Sequence, residues 1–473
     1  MKSLTLLKIS SALISASFVG AVSVHGQETD ATIKAYAAGY KAAFTCSATF
    51  NAGKTLSQIK DHELTGIYPL VADEVNALPN AKIDQVNKRV SVKYSDTMPP
   101  RIAQWREHLG CVQLPVGATT ESAVKHLPVI DVIAPERNDS APWKALNPTN
   151  TSSGNAKLDA VVKAAFKGET FNTNYGENAF TTAVLIATPD QIITEQYIAG
   201  YTHKTSQRTW SVAKSIAATV IGAAVEQNMI NVKAPAPIPE WQSAGDPRGN
   251  ITLENLLQMG SGLDSNRAGN RTDRLYIGGG RVQDTSSRTA VEATPGTRWK
   301  YANNDTLLAV RALRGAMNND QKFLEFPFKS VLHKIGMMDT KLETDWGGDF
   351  ILSSQVWTTS RDMARLGILY LNNGVWNGER ILPENWTEYV SAPAPAQPLN
   401  ENTPGYGAQF WLYNERFPEL PNDAFAARGN RGQHIMIIPS KNLVIVRRGY
   451  DPAKPGGFQL HTFTKDVLDA LEK

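Results

Sequence analysis

The sequence predicts an α+β fold: an antiparallel sheet flanked by helices, with a mostly helical insert and an N-terminal extension. Three observations carry this. Near the C-terminus, "HIMIIP" and "NLVIVRRG" read as strands joined by Ser440-Lys441, as in an antiparallel hairpin. Upstream, "TTAVLIATPDQIITEQYIAGY" reads as two strands around the turn Pro189-Asp190. Between these groups the apolar spacing is helical, in the run that starts near Ser211, in "NLLQMG" and in "SRDMARLGILYLNNG". Helices gather in the middle and strands flank them, which separates the pattern from alternating βαβ units.

Taken in order, residues 1–26 read as a secretory signal: Lys2 and Lys8 precede an apolar, small-residue run over 9–24, and "VHG" offers a cleavage site before Gln27. The serines in that run and its short length argue against a membrane anchor. Residues 27–133 form an N-terminal extension or small domain, in which "ATIKAYAAGYKAAFTCSATF" has helical spacing and "RVSVKYSD" alternates like a strand. Residues 134–155 are rich in Pro, Ser and Asn and read as a linker. Residues 156–473 form the main domain, opening with the helical "KLDAVVKAAF", carrying a strand in "AQFWLY" and closing with the helix "HTFTKDVLDALEK".

The chain has 473 residues, 42% hydrophobic and 20% charged, a globular composition long enough for a large core. The net charge of +3 gives no reason to expect nucleic acid or an anionic membrane as partner. After signal removal no apolar span long enough to cross a membrane remains, so a periplasmic or secreted protein is expected. Export would place Cys46 and Cys111 in an oxidising compartment, where such a pair is usually a disulfide. Two buried free thiols are the alternative. Neither cysteine has a Cys or His at metal-ligand spacing, and no metal or organic cofactor is implied.

The chemistry starts at "TWSVAKSIAATVIGAAVEQN", where Ser211 and Lys214 lie one helical turn apart. Ser211 at a helix start would meet the positive end of the dipole, with its own N–H available to an oxyanion. The helix after it is apolar on every side, so Lys214 should be desolvated and a better base. Spacing alone proves little, since roughly two Ser-x-x-Lys pairs are expected by chance in a chain this long. Ser57 and Lys60 make another, in polar surroundings; a helix cap beside a solvated lysine is the bland reading of any such pair.

Further on, Tyr301-Ala302-Asn303 follows a Pro-Gly turn and precedes a helix. A tyrosine near a lysine can pass a proton to a leaving group; a core aromatic is the alternative. Tyr370-Leu371-Asn372 repeats the triplet at a helix end. Third, "ARGNRGQHIMIIP" places Gly429 and Gly432 where a strand begins, and glycines there let backbone approach a ligand or donate to an oxyanion. The segment from Gly260 to Gly296, rich in Gly, Arg and Asp, reads as a polar wall or lid over a cleft, or as a solvated loop.

Ser-x-x-Lys, then Tyr-x-Asn, then a glycine-rich strand start, in that order, resembles the serine β-lactamase and penicillin-binding-protein superfamily. The stretches "ITLENLLQMGSGLD", "PGTRWKYAN" and "YGAQFWLY" are similar to its class C-related members of the 6-aminohexanoate-dimer hydrolase type. The resemblance covers roughly 156–473 and implies a β-lactamase/transpeptidase-like fold. It implies Ser211 as nucleophile, Lys214 as base, Tyr301 as proton shuttle and Asn303 as a substrate-orienting residue. Where many relatives carry Lys-Thr-Gly or His-Thr-Gly, this chain has Ala427-Arg428-Gly429 followed by Gly432-Gln433, so the carboxylate grip of penicillin-recognising enzymes is altered. Arg428 and Arg431 are the nearby cations. The reading is an exported serine hydrolase acting on a small amide, ester or peptide. Its rivals are a D,D-peptidase or β-lactamase-type enzyme and a non-catalytic binding protein on the same fold. Nothing in the sequence assigns an activity to the N-terminal extension or an oligomeric state.

Overall fold

The computed structural model of the chain describes residues 30–67, 69–136, 142–143, 152–166, 175–265 and 273–472. The signal-like segment 1–26 and most of the linker lie outside the described residues. No helix among the described residues is long and apolar enough to cross a membrane.

The extension begins with helix α1 (Asp30–Phe50), which its alanines favour and whose residues 35–48 are buried throughout. It packs on an antiparallel sheet of β1 (Lys82–Asp84), β2 (Arg89–Val92), β3 (Arg101–Arg106) and β4 (Gly110–Gln113), ordered β1-β2-β3-β4. The shared core includes Ala37, Phe44, Val71, Val90 and Ala103. A disulfide between Cys46 and Cys111 ties α1 to β4. Helix α1 is also seated directly on the main domain: a Cβ on Gly39 would lie 2.0 Å from the carbonyl oxygen of Ile277.

The main domain opens with α2 (Ala156–Ala164), capped by the Asn155 side chain. Then come β5 (Thr181–Ala187), β6 (Ile192–Tyr197), β7 (Gln207–Arg208) and α3 (Val212–Glu226). After α4 (Asn303–Met317) follow β8 (Lys341–Leu342), β9 (Val356–Thr358) and α5 (Ser360–Leu371). The chain ends with β10 (Gly405–Tyr406), β11 (Trp411–Leu412), β12 (Phe425–Gly429), β13 (Gln433–Ile438), β14 (Leu443–Gly449) and α6 (Leu460–Leu471). Seven strands form one antiparallel sheet in the order β10-β11-β12-β13-β14-β5-β6, and β7, β9 and β8 form a smaller one.

The large sheet is covered on both faces, which explains why its strands read as unbroken apolar runs. Leu185, Ile435, Ile437 and Val444 join the core that contains α3 and α5. Their neighbours Val184, Met436, Ile438 and Ile445 join the core built with α2 and α6. The helix–sheet–helix arrangement and the hairpin of β13 and β14 match the predicted α+β class.

Two local expectations change. The predicted strand in "AQFWLY" is paired only at Trp411–Leu412, because Gln409 takes a positive φ of 64° and spends its side chain bonding Leu257 O and Thr306 Oγ1, both at 2.7 Å. The linker is not wholly solvated: Trp143 is buried in the main core, with the Arg365 guanidinium 5.0 Å from its ring.

The disulfide closes a loop with a sequence separation of 65 residues. In the chain-entropy account, Cys111→Ala should therefore lower stability by about 4 kcal/mol. Thermal melts should show the drop, and thiol labelling of the unreduced parent should find no free cysteine; an unchanged Tm would contradict the bridge's role.

Candidate active site

Three segments far apart in sequence converge where α3 begins. Strand β7 delivers the chain through Thr209, whose N–H donates to Val356 O at 2.8 Å, and Trp210 to Ser211. Trp210 holds φ at +50°, an uncommon conformation for a bulky residue. Ser211 occupies the N-cap position of α3, yet its side chain makes no capping hydrogen bond. The reading of this serine as a plain helix cap therefore does not hold. Its hydroxyl lies 3.3 Å from Lys214 Nζ instead.

Every residue of α3 from Val212 to Ala224 is buried. Lys214 is 1% exposed. Its Nζ also bonds Asn303 Oδ1 at 2.6 Å and Ser353 O at 2.8 Å. Burial, with a smaller push from the Arg208 charge, lowers its pKa to about 7. Two neutral oxygens and a hydroxyl around an amine, in place of a carboxylate, suit a base that is substantially neutral near pH 7. The other Ser-x-x-Lys pair behaves otherwise: Ser57 bonds Asp61 and Lys60 is exposed.

Tyr301 reaches the same spot from just before α4. Its phenol hydrogen-bonds with Ser211, and its ring centroid is 5.0 Å from Lys214 Nζ. Burial raises its pKa, so the phenol is neutral and able to donate. The other Tyr-x-Asn triplet is core, with Tyr370 Oη 2.8 Å from Thr219 Oγ1. Asn303, the first residue of α4, uses its side-chain oxygen to accept from Lys214 Nζ, which ties it to the lysine.

Gly429 ends β12 against the helix start. A Cβ there would sit 2.2 Å from Thr209 O and 3.1 Å from the backbone nitrogens of Ser211 and Val212. The other two third-motif positions serve the framework. Gly432, with φ +75°, leaves room for the buried ion pair of Arg447 and Asp451 at 2.8 Å. Gln433 donates to Arg431 O and Gly449 O and accepts from Arg448 Nε at 2.7 Å. Arg448 in turn donates to Gln207 O in β7, so Gln433 supports the strand that leads to Ser211. Arg431 is committed to His62 O and Thr65 O of the extension. Arg428 stands beside the Trp411 and Tyr413 rings.

Sequence reasoning missed Arg208, Tyr276 and Ser353. Arg208 donates to Ser354, and Tyr276 Oη bonds Ser353 Oγ. None lies in a motif, and a serine whose carbonyl is the working atom leaves no side-chain signal. Tyr406 packs edge to face on Tyr301, Trp299 and Trp411, and the two tryptophans lie tilted against Tyr301, making an aromatic surround. The described flanks of the segment 260–296 are largely buried, as at Ser261, Asp264, Leu275 and Ile277, and so not the solvated loop that was one reading of it.

The Beta-lactamase family's sequence profile matches residues 171–447, more than half of the chain. The chain belongs to the Beta-lactamase family. A 6-aminohexanoate-dimer hydrolase of Paenarthrobacter ureafaciens is 25% identical over 300 residues, which is 57% of this chain and 73% of that protein. An uncharacterized protein of Alkalihalophilus pseudofirmus is 23% identical over 311 residues, 58% of this chain and 85% of the other. Among solved structures, a family VIII carboxylesterase superposes with a TM-score of 0.54 at 15% identity, covering 69% of this chain and 99% of its own. At that identity the likeness is one of fold. The family match makes this protein a β-lactamase-fold hydrolase, and the motifs at 211–214 and 301–303 fall inside the matched span.

Two outcomes follow from the geometry. Activity should rise with pH through about 7, as Lys214 loses its proton and becomes able to accept one; a kcat/KM profile flat from pH 5 to 9 would contradict it. Gly429→Ala should cost on the order of 100-fold in kcat/KM, since its Cβ would force strand and helix start apart. Near-wild-type kinetics would show the approach to be incidental.

Proposed function

We propose that the protein is an exported serine hydrolase that cleaves small amides or esters through an acyl-enzyme on Ser211. The observation that carries this is the buried Lys214, bonded to the Ser211 hydroxyl, which caps nothing. In the proposed sequence Ser211 Oγ attacks the substrate carbonyl while its proton passes to neutral Lys214. The oxyanion meets the Ser211 N–H and the backbone at the end of β12. Tyr301 protonates the leaving amine or alcohol as the C–N or C–O bond breaks and regains a proton from Lys214. Water then repeats the steps on the ester and frees Ser211.

The relationship to a 6-aminohexanoate-dimer hydrolase supports amide or ester cleavage. The third motif lacks the lysine of Lys-Thr-Gly, and Arg431 is turned into the extension, which argues against a β-lactam as the preferred substrate. Export draws support from the disulfide, which belongs in an oxidising compartment, and from the signal-like N-terminus.

Ser211→Ala should abolish turnover while keeping the fold, a loss of several orders of magnitude. Tyr301→Phe and Lys214→Ala should each slow acylation, with the double variant little worse than Lys214→Ala, because groups sharing one proton are non-additive. The deciding assay compares kcat/KM for p-nitrophenyl esters, a linear amide dimer and a chromogenic cephalosporin. A cephalosporin preferred by about tenfold, or about 1.4 kcal/mol of transition-state binding, would make the protein a β-lactamase instead.

A further inference from the structure

We infer that the N-terminal extension is a working part of the catalytic centre: it clamps Trp210 and Arg208 from behind and so fixes where Ser211 and Lys214 stand. This rests on the acyl-enzyme reading above. It assigns a role to a segment that lies wholly before the span matched by the family, 171–447.

The residue before the nucleophile is the first link. Trp210 sits at positive φ, and something must hold it there. Its side chain packs against the core of the extension, 6.0 Å from the Phe44 ring between centroids. The second link is Arg208, whose guanidinium carbon lies 4.4 Å from the centre of the Phe44 ring and 3.7 Å from that of Trp210. Held there, Arg208 donates to Ser354 Oγ at 2.8 Å and to Ser354 O at 3.2 Å. The preceding carbonyl, Ser353 O, is the one that holds Lys214. Tyr276 completes the clamp: its ring packs on the same core, and its hydroxyl bonds Ser353 Oγ.

One face of α1 is organised for this. Phe44 and Ser47 on α1, and Asn51 just past its end, recur at helical spacing and contact the main domain. Ser47 and Asn51 bond the buried carboxylate of Glu343 at 2.5 and 2.9 Å, and the Cys111 N–H reaches it at 3.2 Å. Gly39 under Ile277 O and Gly279 under Leu114 O leave no gap between the two parts; a Cβ at either would stand within 2.0 and 2.3 Å of those oxygens. The groups facing Lys214 are Arg208 from β7, Tyr301 from just before α4, Asn303 from its first turn, Ser211, and the carbonyl of Ser353, whose hydroxyl Tyr276 holds. Those facing Arg208 are Tyr40 and Glu63 of the extension with Tyr276 and Glu343 of the main domain. Loosening the clamp would let water to Lys214 and move the Arg208 charge, both of which favour the protonated amine.

The test uses the full chain and the rate of Ser211 labelling by a fluorophosphonate across pH, with thermal melts beside it. Phe44→Leu keeps the site apolar but removes the ring. Trp210→Gly eases the positive φ but removes the anchor. The clamp predicts that both fold yet label about tenfold slower or worse. It also predicts an acid limb displaced by about half a pH unit or more toward higher pH. Folded variants that label at the wild-type rate with the wild-type limb would overturn it. If Phe44→Leu fails to fold, Trp210→Gly decides by the same criterion. Ser211→Ala is the control. A wild type that labels no faster than this control would instead overturn the acyl-enzyme reading, and this inference with it.

Discussion

Burying a lysine without giving it a carboxylate is the constraint on which the site depends. One pKa unit is worth about 1.4 kcal/mol, so holding Lys214 near 7 costs on the order of 4 kcal/mol of stability at neutral pH. The penalty is full below pH 7, shrinks as the pH rises from about 7, and is gone above about 10, where the unfolded chain's lysine is neutral as well. Lys54 shows the contrast within the same molecule. It too is buried, but it pairs with Glu63 and bonds Tyr450, so its charge is answered and it serves the framework. Around Lys214 the helix offers small apolar residues, and among the described residues its amine bonds a carbonyl, an amide oxygen and the Ser211 hydroxyl. In the proposed mechanism, a lysine kept so poorly solvated accepts a proton as the neighbouring Ser211 oxygen becomes an alkoxide, whose charge then answers its own.

That constraint reaches outward through the fold. Lys214 is fixed by Ser353, Ser353 by Tyr276 and by the Arg208–Ser354 contacts next to it, and Arg208 by the rings of Trp210 and Phe44. Behind β7 stands Arg448, which grips Gln207 O and is gripped by Gln433. The sheet, with apolar helices on both faces, gives these long side chains a rigid backing. The Beta-lactamase core contributes the helix start, the tyrosine and the close strand. The extension adds a second layer behind them, stapled by its own disulfide.

Much of this was legible in the sequence, for identifiable reasons. The Ser211–Lys214 spacing means what it does because the following helix is apolar all round, a property visible in "SIAATVIGAAV". The strands of the large sheet were visible as apolar runs, and the hairpin of β13 and β14 through its short link. Less visible were contacts made by backbone or by residues with ordinary local sequence. Ser353 acts through its carbonyl, Gln433 works inside the framework, and Arg208 is recognisable only once Phe44 is seen against it. Trp143 could not be separated from its Pro- and Asn-rich surroundings, although a lone tryptophan in such a stretch is itself a hint of burial. The role of the extension was illegible because it rests wholly on contacts between segments far apart in sequence.

The measurement that bears most directly on the account is the titration of Lys214 itself, followed by NMR of lysine labelled at Cε and Nζ in the intact chain, with Lys214→Met to assign the signal. The account predicts a midpoint at about 7. A midpoint at the ordinary lysine value, about 10.4, would contradict it, because a lysine charged throughout the neutral range cannot take the proton from Ser211.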